Sequence, residues 1–124
     1  MAHLISIVDD DDASREAIAG LVRSLGHRVA EFPGAAAFLA SDELERTAFL
    51  IADLSMPGMT GLELHARLVE AGRAVPTVLV TAYPSESTRA AARREGVAAY
   101  FAKPVSPADL AACLANARPP SGPT

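Results

Sequence analysis

Short apolar runs alternate along this chain with longer stretches in which apolar residues recur every three or four positions. The first run, His3 to Val8 (HLISIV), is rich in β-formers and ends abruptly in acid. Over 13–25, Ala17, Ile18, Leu21, Val22 and Leu25 fall on one helical face, with Gly26 following as a stop. Arg28 to Phe32 reads as a short strand, after which Pro33-Gly34 opens a small Ala-rich helix through Phe38 and Leu39. Thr47 to Ala52 (TAFLIA) reads as a buried strand ending at Asp53, and 54–60 (LSMPGMT) as a loop turned by Pro57-Gly58. Thr60 and Glu63 have capping-box spacing for a helix carrying Leu62, Leu64, Leu68 and Val69, which Gly72 stops. Pro76 to Val80 (PTVLV) is a fourth strand ending at Thr81, and a helix from Ser85 to Glu95 stops at Gly96. A fifth strand, Ala98 to Ala102, ends at Lys103-Pro104; Ser106 and Pro107 then supply the N-cap and first residue of a last helix.

The pattern predicts five β–α units whose strands are apolar throughout rather than alternating. Such strands belong in a five-stranded parallel sheet, doubly wound with five helices on its two faces. In these α/β folds, sites form beyond the carboxyl ends of the strands, near the switch in strand order. The unusual polar residues fall there: Asp9 to Asp12 after the first strand, Asp53 after the third, Thr81 after the fourth and Lys103 after the fifth. There is no internal repeat. Residues 1–118 read as one domain and 119–124 (PPSGPT) as a flexible tail or the start of a linker.

Composition sharpens this picture at three points. The 124 residues, half of them hydrophobic, suit one domain with a real core. Of the net charge of −4, positions 9–12 alone supply four negative charges, and the rest of the chain balances at eleven of each sign. The acidity is local, which favours a cation site, and without a basic run no direct nucleic-acid binding is expected. Arginine outnumbers lysine ten to one, so the only lysine, Lys103, stands out at its strand end. A single cysteine, Cys113, excludes an internal disulfide or a multi-cysteine zinc site. No stretch reads as a membrane span or a secretory leader, so the expected compartment is the cytoplasm.

Carboxylates gathered at one sheet edge repel one another unless a cation lies among them, and a hard divalent ion such as Mg²⁺ suits oxygen ligands of this kind. Asp11 and Asp12 have a simpler reading as caps of the following helix. Asp53 alone would be an ordinary loop aspartate. Beside Mg²⁺, however, its oxygen could attack a phosphoryl group, with Lys103 and the Thr81 hydroxyl as donors to the transferred charge. A cis bond at Lys103-Pro104 is one geometry that would steer the ammonium inward.

Together, Asp9-Asp10, Asp53 with Met56-Pro57-Gly58-Met59-Thr60-Gly61, Thr81-Ala82 and Tyr100-Phe101-Ala102-Lys103-Pro104 resemble the response-regulator receiver domain. The match covers residues 3 to 117 in order. Leu25-Gly26-His27-Arg28-Val29 and Ala37-Phe38-Leu39 look most like receivers of the FixJ type. The resemblance implies a flavodoxin-like, CheY-like fold and a signalling switch in which Asp53 accepts a phosphoryl group from a histidine kinase. It implies that Asp10 binds Mg²⁺ directly and Asp9 through water, with Asp53 and the Ser55 backbone carbonyl completing the protein ligands. Lys103 and Thr81 would hold the phosphoryl oxygens, and Tyr100 would turn inward as the switch aromatic. Ser55 and Tyr83 occupy the positions that tune phosphoryl lifetime, and the bulk of Tyr83 would lengthen it. FixJ-type receivers usually precede a DNA-binding domain, so the output would be a C-terminal domain not in this chain, with phosphorylation favouring a homodimer through residues 85–117.

The rival class is a Mg²⁺-dependent phosphohydrolase with an aspartyl-phosphate intermediate. It would want a general acid two residues after the nucleophile, where Ser55 stands, and a cap segment that 124 residues do not accommodate. The remaining singletons take plainer roles. Cys113 is spaced with Leu110, Leu114 and Ala117 as a core residue. His3, His27 and His65 read as solvated or partner-facing, Met56 and Met59 as shaping their turn, and 89–94 as a solvated helix face or part of a dimer surface.

Overall fold

The computed structural model describes residues 3–116. Five strands, β1 (Leu4–Val8), β2 (Arg28–Phe32), β3 (Thr47–Asp53), β4 (Thr77–Thr81) and β5 (Ala99–Ala102), pair in parallel in the order β2-β1-β3-β4-β5. Helices α1 (Asp12–Ser24), α2 (Ala35–Leu39), α3 (Gly61–Glu70) and α4 (Glu86–Glu95) form the crossovers, and α5 (Pro107–Asn116) follows the last strand. The doubly wound α/β architecture is thus as the sequence predicts. The tail at 119–124, the spacing partner Ala117 and the last residue of 85–117 lie outside the described residues.

Alternation along the central strands divides the core in two. Ile5 and Ile7 of β1, Phe49 and Ile51 of β3, and Val78 and Val80 of β4 face α1 and α5, where Ile18, Ala19, Val22, Leu110 and Leu114 meet them. Val8, Leu50, Ala52 and Leu79 face the other way, against Phe38 of α2, Leu64 and Leu68 of α3, and Ala92 of α4. Both faces of β1, β3 and β4 are therefore buried, the physical origin of their unbroken apolar runs. The edge strands differ: β2 and β5 are partly exposed, so "apolar throughout" holds only for the three inner strands.

Local signals for the helices behave as their chemistry requires. The Thr60 hydroxyl accepts from the Glu63 amide at 3.0 Å and the Glu63 carboxylate from the Thr60 amide at 2.9 Å, a complete capping box for α3. Ser85 caps α4, Gly96 ends it in the left-handed region, and the Ser106 hydroxyl accepts from the Asp109 amide at the start of α5.

Several expectations need correction. The buried stripe of α1 is Ile18, Ala19 and Val22, while Ala17 and Leu25 are exposed. On α3, Val69 is exposed and His65, expected at the surface, is buried at 5% exposure. Its Nδ1 has no hydrogen-bond partner, and the Glu95 carboxylate lies 3.7 Å away. His27 is also half-buried. A 3-10 helix at Asp42–Arg46, which the pattern does not predict, carries the chain into β3. Cys113 is half-buried against the α1–α5 core as expected, and burial pushes its thiol up. Among the described residues, no helix is long and apolar enough to cross a membrane.

Candidate functional site

Topology brings the candidate residues together. The chain leaves β1 toward β2 on one side and returns to place β3 on the other, so the strand order switches between β1 and β3. Val8 is in register with Ala52, which sets the next residues, Asp9 and Asp53, side by side at the open end of the sheet. Asp53 pairs with Val80 of β4, and Thr81 with Ala102 of β5, so Lys103 continues from the next strand end. The Lys103-Pro104 bond is cis.

Lys103 reaches back across β4, and its ammonium lies 2.9 Å from Oδ2 of Asp9 and 2.9 Å from Oδ2 of Asp53. The other oxygens are held by backbone: the Asp11 amide donates to Asp9 Oδ1 at 3.0 Å and the Ser55 amide to Asp53 Oδ1 at 2.9 Å. Asp9 is fully buried and Asp53 nearly so, whereas Asp10 is exposed. Carboxylate oxygens of Asp9, Asp10 and Asp53 lie within 4.8 Å of one another. Three carboxylates face one ammonium through an all-oxygen donor set, which fits a hard divalent cation.

The two buried carboxyls are shifted in opposite directions. Burial raises both. For Asp9 this is outweighed by the Asp11 amide, Lys103 and Ser14, and its carboxyl is held below the ordinary value. For Asp53, burial and the repulsion of Asp9 win over Lys103 and Ser55, and its carboxyl is pushed up. Burial alone would lower Lys103, but its two carboxylate partners hold it above its usual value.

Thr81 and Tyr100 complete the predicted set at a distance from this ion cluster. The Thr81 hydroxyl accepts from the Tyr83 amide at 3.0 Å, and the Tyr83 side chain is 79% exposed. The Tyr100 hydroxyl accepts from the Ser85 amide at 3.2 Å and meets the Thr88 hydroxyl at 2.5 Å, while the Arg89 guanidinium stacks 4.6 Å from its ring centre. Tyr100 is thus tied to the first turn of α4. Asp11 occupies the N-cap position of α1 without a side-chain cap bond, and Asp12 pairs with Arg15 at 2.6 Å. A mostly apolar groove of about 420 Å³ adjoins Lys103 between α1 and the β5–α5 connection, lined by Ala13, Ala17, Leu21, Pro104 and Val105 among others.

Two contributors are given no role by the sequence reading. Arg15 donates to the Asp9 carbonyl at 2.7 Å; a lone cation six residues beyond the acid was its only signal. Gly61 lies under the end of β3, where a Cβ would meet the Asp53 carbonyl oxygen at 2.6 Å. In sequence it closes the Met56–Gly61 run of the family resemblance and opens a well-capped helix, with nothing there to show the close approach.

Residues 5–115 match the family model of the response regulator receiver domain. Response regulator protein TmoT of Ectopseudomonas mendocina is 36% identical over 92% of this chain and 52% of its own length. Transcriptional regulatory protein FixJ of Azorhizobium caulinodans is 34% identical over 89% of this chain and 52% of its own. The chain thus spans about half the length of these curated relatives. The solved CheY-like receiver domain protein from Methanospirillum hungatei superimposes with a TM-score of 0.81 at 27% identity, covering 93% of this chain and 92% of that one. For the FixJ-N crystal structure the TM-score is 0.83 at 26% identity, with coverage of 93% and 92%. Because the family model runs from the first strand into the last helix, the chain belongs to the response regulator receiver family, the switch domains of two-component systems.

Proposed function

We propose that this chain is a phospho-accepting receiver whose acceptor is Asp53 and whose product is an altered surface rather than a released metabolite. The observation that carries the reading is the Lys103 ammonium shared at 2.9 Å by Asp9 and Asp53, with Asp10 completing an acidic cluster at the strand-order switch. Mg²⁺ bound there would neutralise the carboxylates and the incoming phosphoryl oxygens. Asp10 is exposed and none of the hydrogen bonds among the described residues holds its carboxylate, which favours direct ligation by Asp10; by the family likeness Asp53 would also bind directly and Asp9 through water. The Ser55 carbonyl would supply the remaining protein ligand.

In the transfer, an Asp53 carboxylate oxygen attacks the phosphorus of a phosphohistidine on the kinase. The P–O bond forms as the P–N bond breaks, and the histidine nitrogen keeps the electron pair and takes a proton. Lys103 then pairs with the phosphoryl oxygens, and the Thr81 hydroxyl donates a hydrogen bond to one of them. Tyr100 follows inward and releases the first turn of α4, changing the surface formed by 85–117. The apolar groove beside Lys103, along which Ala17 is exposed, would suit a helical donor. The exposed Tyr83 ring and the small Ser55 would set how easily water reaches the acyl phosphate. Cytoplasmic location, a phosphorylation-dependent homodimer and a C-terminal DNA-binding output domain belong to the same reading, supported by the FixJ likeness.

Intact mass after incubation with acetyl phosphate, with and without Mg²⁺, tests the core of this proposal. One Mg²⁺-dependent, base-labile phosphoryl addition, absent from Asp53→Asn, is expected. Many turnovers of phosphate release without an adduct would instead favour the hydrolase.

A further inference from the structure

The inference concerns Arg15 and rests on the divalent-ion reading of the acidic cluster. Asp9 has a partner for each of its polar groups. Its amide donates to the Phe32 carbonyl at 3.1 Å, and its carboxylate takes the Asp11 amide and the Lys103 ammonium. Its carbonyl accepts from Arg15 Nη1 at 2.7 Å. That carbonyl belongs to the Asp9–Asp10 peptide, so its direction sets how the chain leaves β1 and where Asp10 is presented. Asp10 is exposed, and none of the hydrogen bonds among the described residues holds its carboxylate. Its place beside Asp9 and Asp53 is fixed by backbone alone.

Arg15 is in turn fixed from two sides. Its Nη2 lies 2.6 Å from Asp12 and its Nε 3.6 Å from Glu31 of β2, whose other oxygen takes Arg23 at 3.2 Å. Only 16% of the Arg15 side chain is exposed. We propose that Arg15 is a positioning residue for the cation site: oriented by Asp12, its guanidinium holds the Asp9 carbonyl and thereby the peptide that presents Asp10.

This role has a sign opposite to simple electrostatics. A guanidinium beside acidic ligands repels a divalent ion, so if charge alone mattered, removing Arg15 would tighten binding. Positioning requires the reverse, since loss of an outer partner of a ligand weakens metal binding by about ten- to a hundredfold.

Calorimetric titration with Mg²⁺, paired with thermal melts in EDTA, separates these cases for wild type, Arg15→Gln, Arg15→Lys and Glu31→Gln. Arg15→Gln should bind Mg²⁺ at least about tenfold more weakly. Arg15→Lys should recover part of the loss, because an ammonium can still reach the carbonyl. Glu31→Gln should lower the melting temperature yet keep Mg²⁺ affinity close to wild type, because Asp12 still orients the guanidinium. Wild-type or tighter binding by Arg15→Gln overturns the proposal. So does equal loss of affinity in Glu31→Gln, which would reduce Arg15 to a tie between α1 and β2. If Arg15→Gln does not fold, the comparison of Arg15→Lys with Glu31→Gln decides: weaker binding in the first alone supports the role, equal binding overturns it. No Mg²⁺ binding by the wild type would be a different result, removing the cation reading itself and the role with it.

Discussion

Asp9 and Asp53 share the Lys103 ammonium, yet they affect stability in opposite directions. The Asp53 carboxyl is raised above 3.8 by burial and by Asp9, so its contribution to stability is present below that pH and lost as pH rises through its folded value. At neutral pH without a divalent ion, ionised Asp53 works against the fold. Asp53→Asn should therefore raise the melting temperature in EDTA, the gain shrinking toward pH 3.8, and Mg²⁺ should stabilise wild type far more than the variant. Asp9 is lowered despite its burial because the Asp11 amide and Lys103 outweigh it; its contribution is present above 3.8 and lost as pH falls through the folded value. Asp9→Asn should cost about 1–3 kcal/mol at neutral pH as charged hydrogen bonds are lost. Melting shifts of the same sign in both variants would contradict this division of charge. Gly61 raises a purely steric question. An added Cβ meets the Asp53 carbonyl at 2.6 Å and Leu79 at 2.9 Å, and backbone at that position cannot swing away. Gly61→Ala should lower stability by about 1–3 kcal/mol in urea titration and slow phosphoryl uptake by displacing the acceptor.

Among the helices, α4 is held least firmly. It buries only Ala92, against three residues for α1 and four for α3, and its first turn depends on Tyr100, whose hydroxyl accepts from the Ser85 amide. Few buried apolar contacts mean a low free energy of local opening, so α4 amides should exchange with solvent well before those of α3. Tyr100→Phe should speed exchange at Ser85 and the first turn of α4 while leaving α3 unchanged. Equal protection of the two helices would remove the argument that α4 is the mobile element. The elements themselves were readable in sequence wherever a local signal decided them: Thr60 with Glu63 for α3, Ser85 and Gly96 for α4, Asp53 at the end of an apolar run. What escaped was decided by neighbours. The α1 stripe is rotated because Ala19 packs under the sheet while Ala17 borders the open groove. His65 is buried because α3 turns that side toward the core and α4, a tertiary fact with no trace in the residue. Arg15 is likewise invisible until β1 and α1 are set at their angle and its guanidinium meets the Asp9 carbonyl.

At the scale of the whole molecule, the sheet separates the place where a phosphoryl charge would be added from the surface that would report it. The acidic cluster lies at the ends of β1 and β3, while Tyr100 and α4 lie by the outer edge, beyond β4. Thr81, at the end of β4 between them, is the one candidate hydroxyl placed to feel both. In the structure its hydroxyl accepts from the Tyr83 amide and makes no hydrogen bond with Lys103 or Asp53 among those of the described residues. A phosphoryl group on Asp53 would offer the O–H of that hydroxyl a charged acceptor, and the loop from Thr81 to Ser85 would have to shift for the bond to form. Coupling of this kind is worth about 1–3 kcal/mol, so phosphorylation should tighten self-association through 85–117 by about 5- to 150-fold. Sedimentation velocity with acetyl phosphate and Mg²⁺ measures the shift directly. Thr81→Ala separates the chemistry from its readout: Asp53 and Lys103 remain, so a phosphoryl group should still add by intact mass, but most of the gain in association should vanish. A dissociation constant that ignores phosphorylation in the wild type would remove the dimer from the output of this domain. If Thr81→Ala associates as the wild type does, the signal must pass without that hydroxyl, and Lys103, which follows β5 directly and whose ammonium meets Asp9 and Asp53, offers the alternative route.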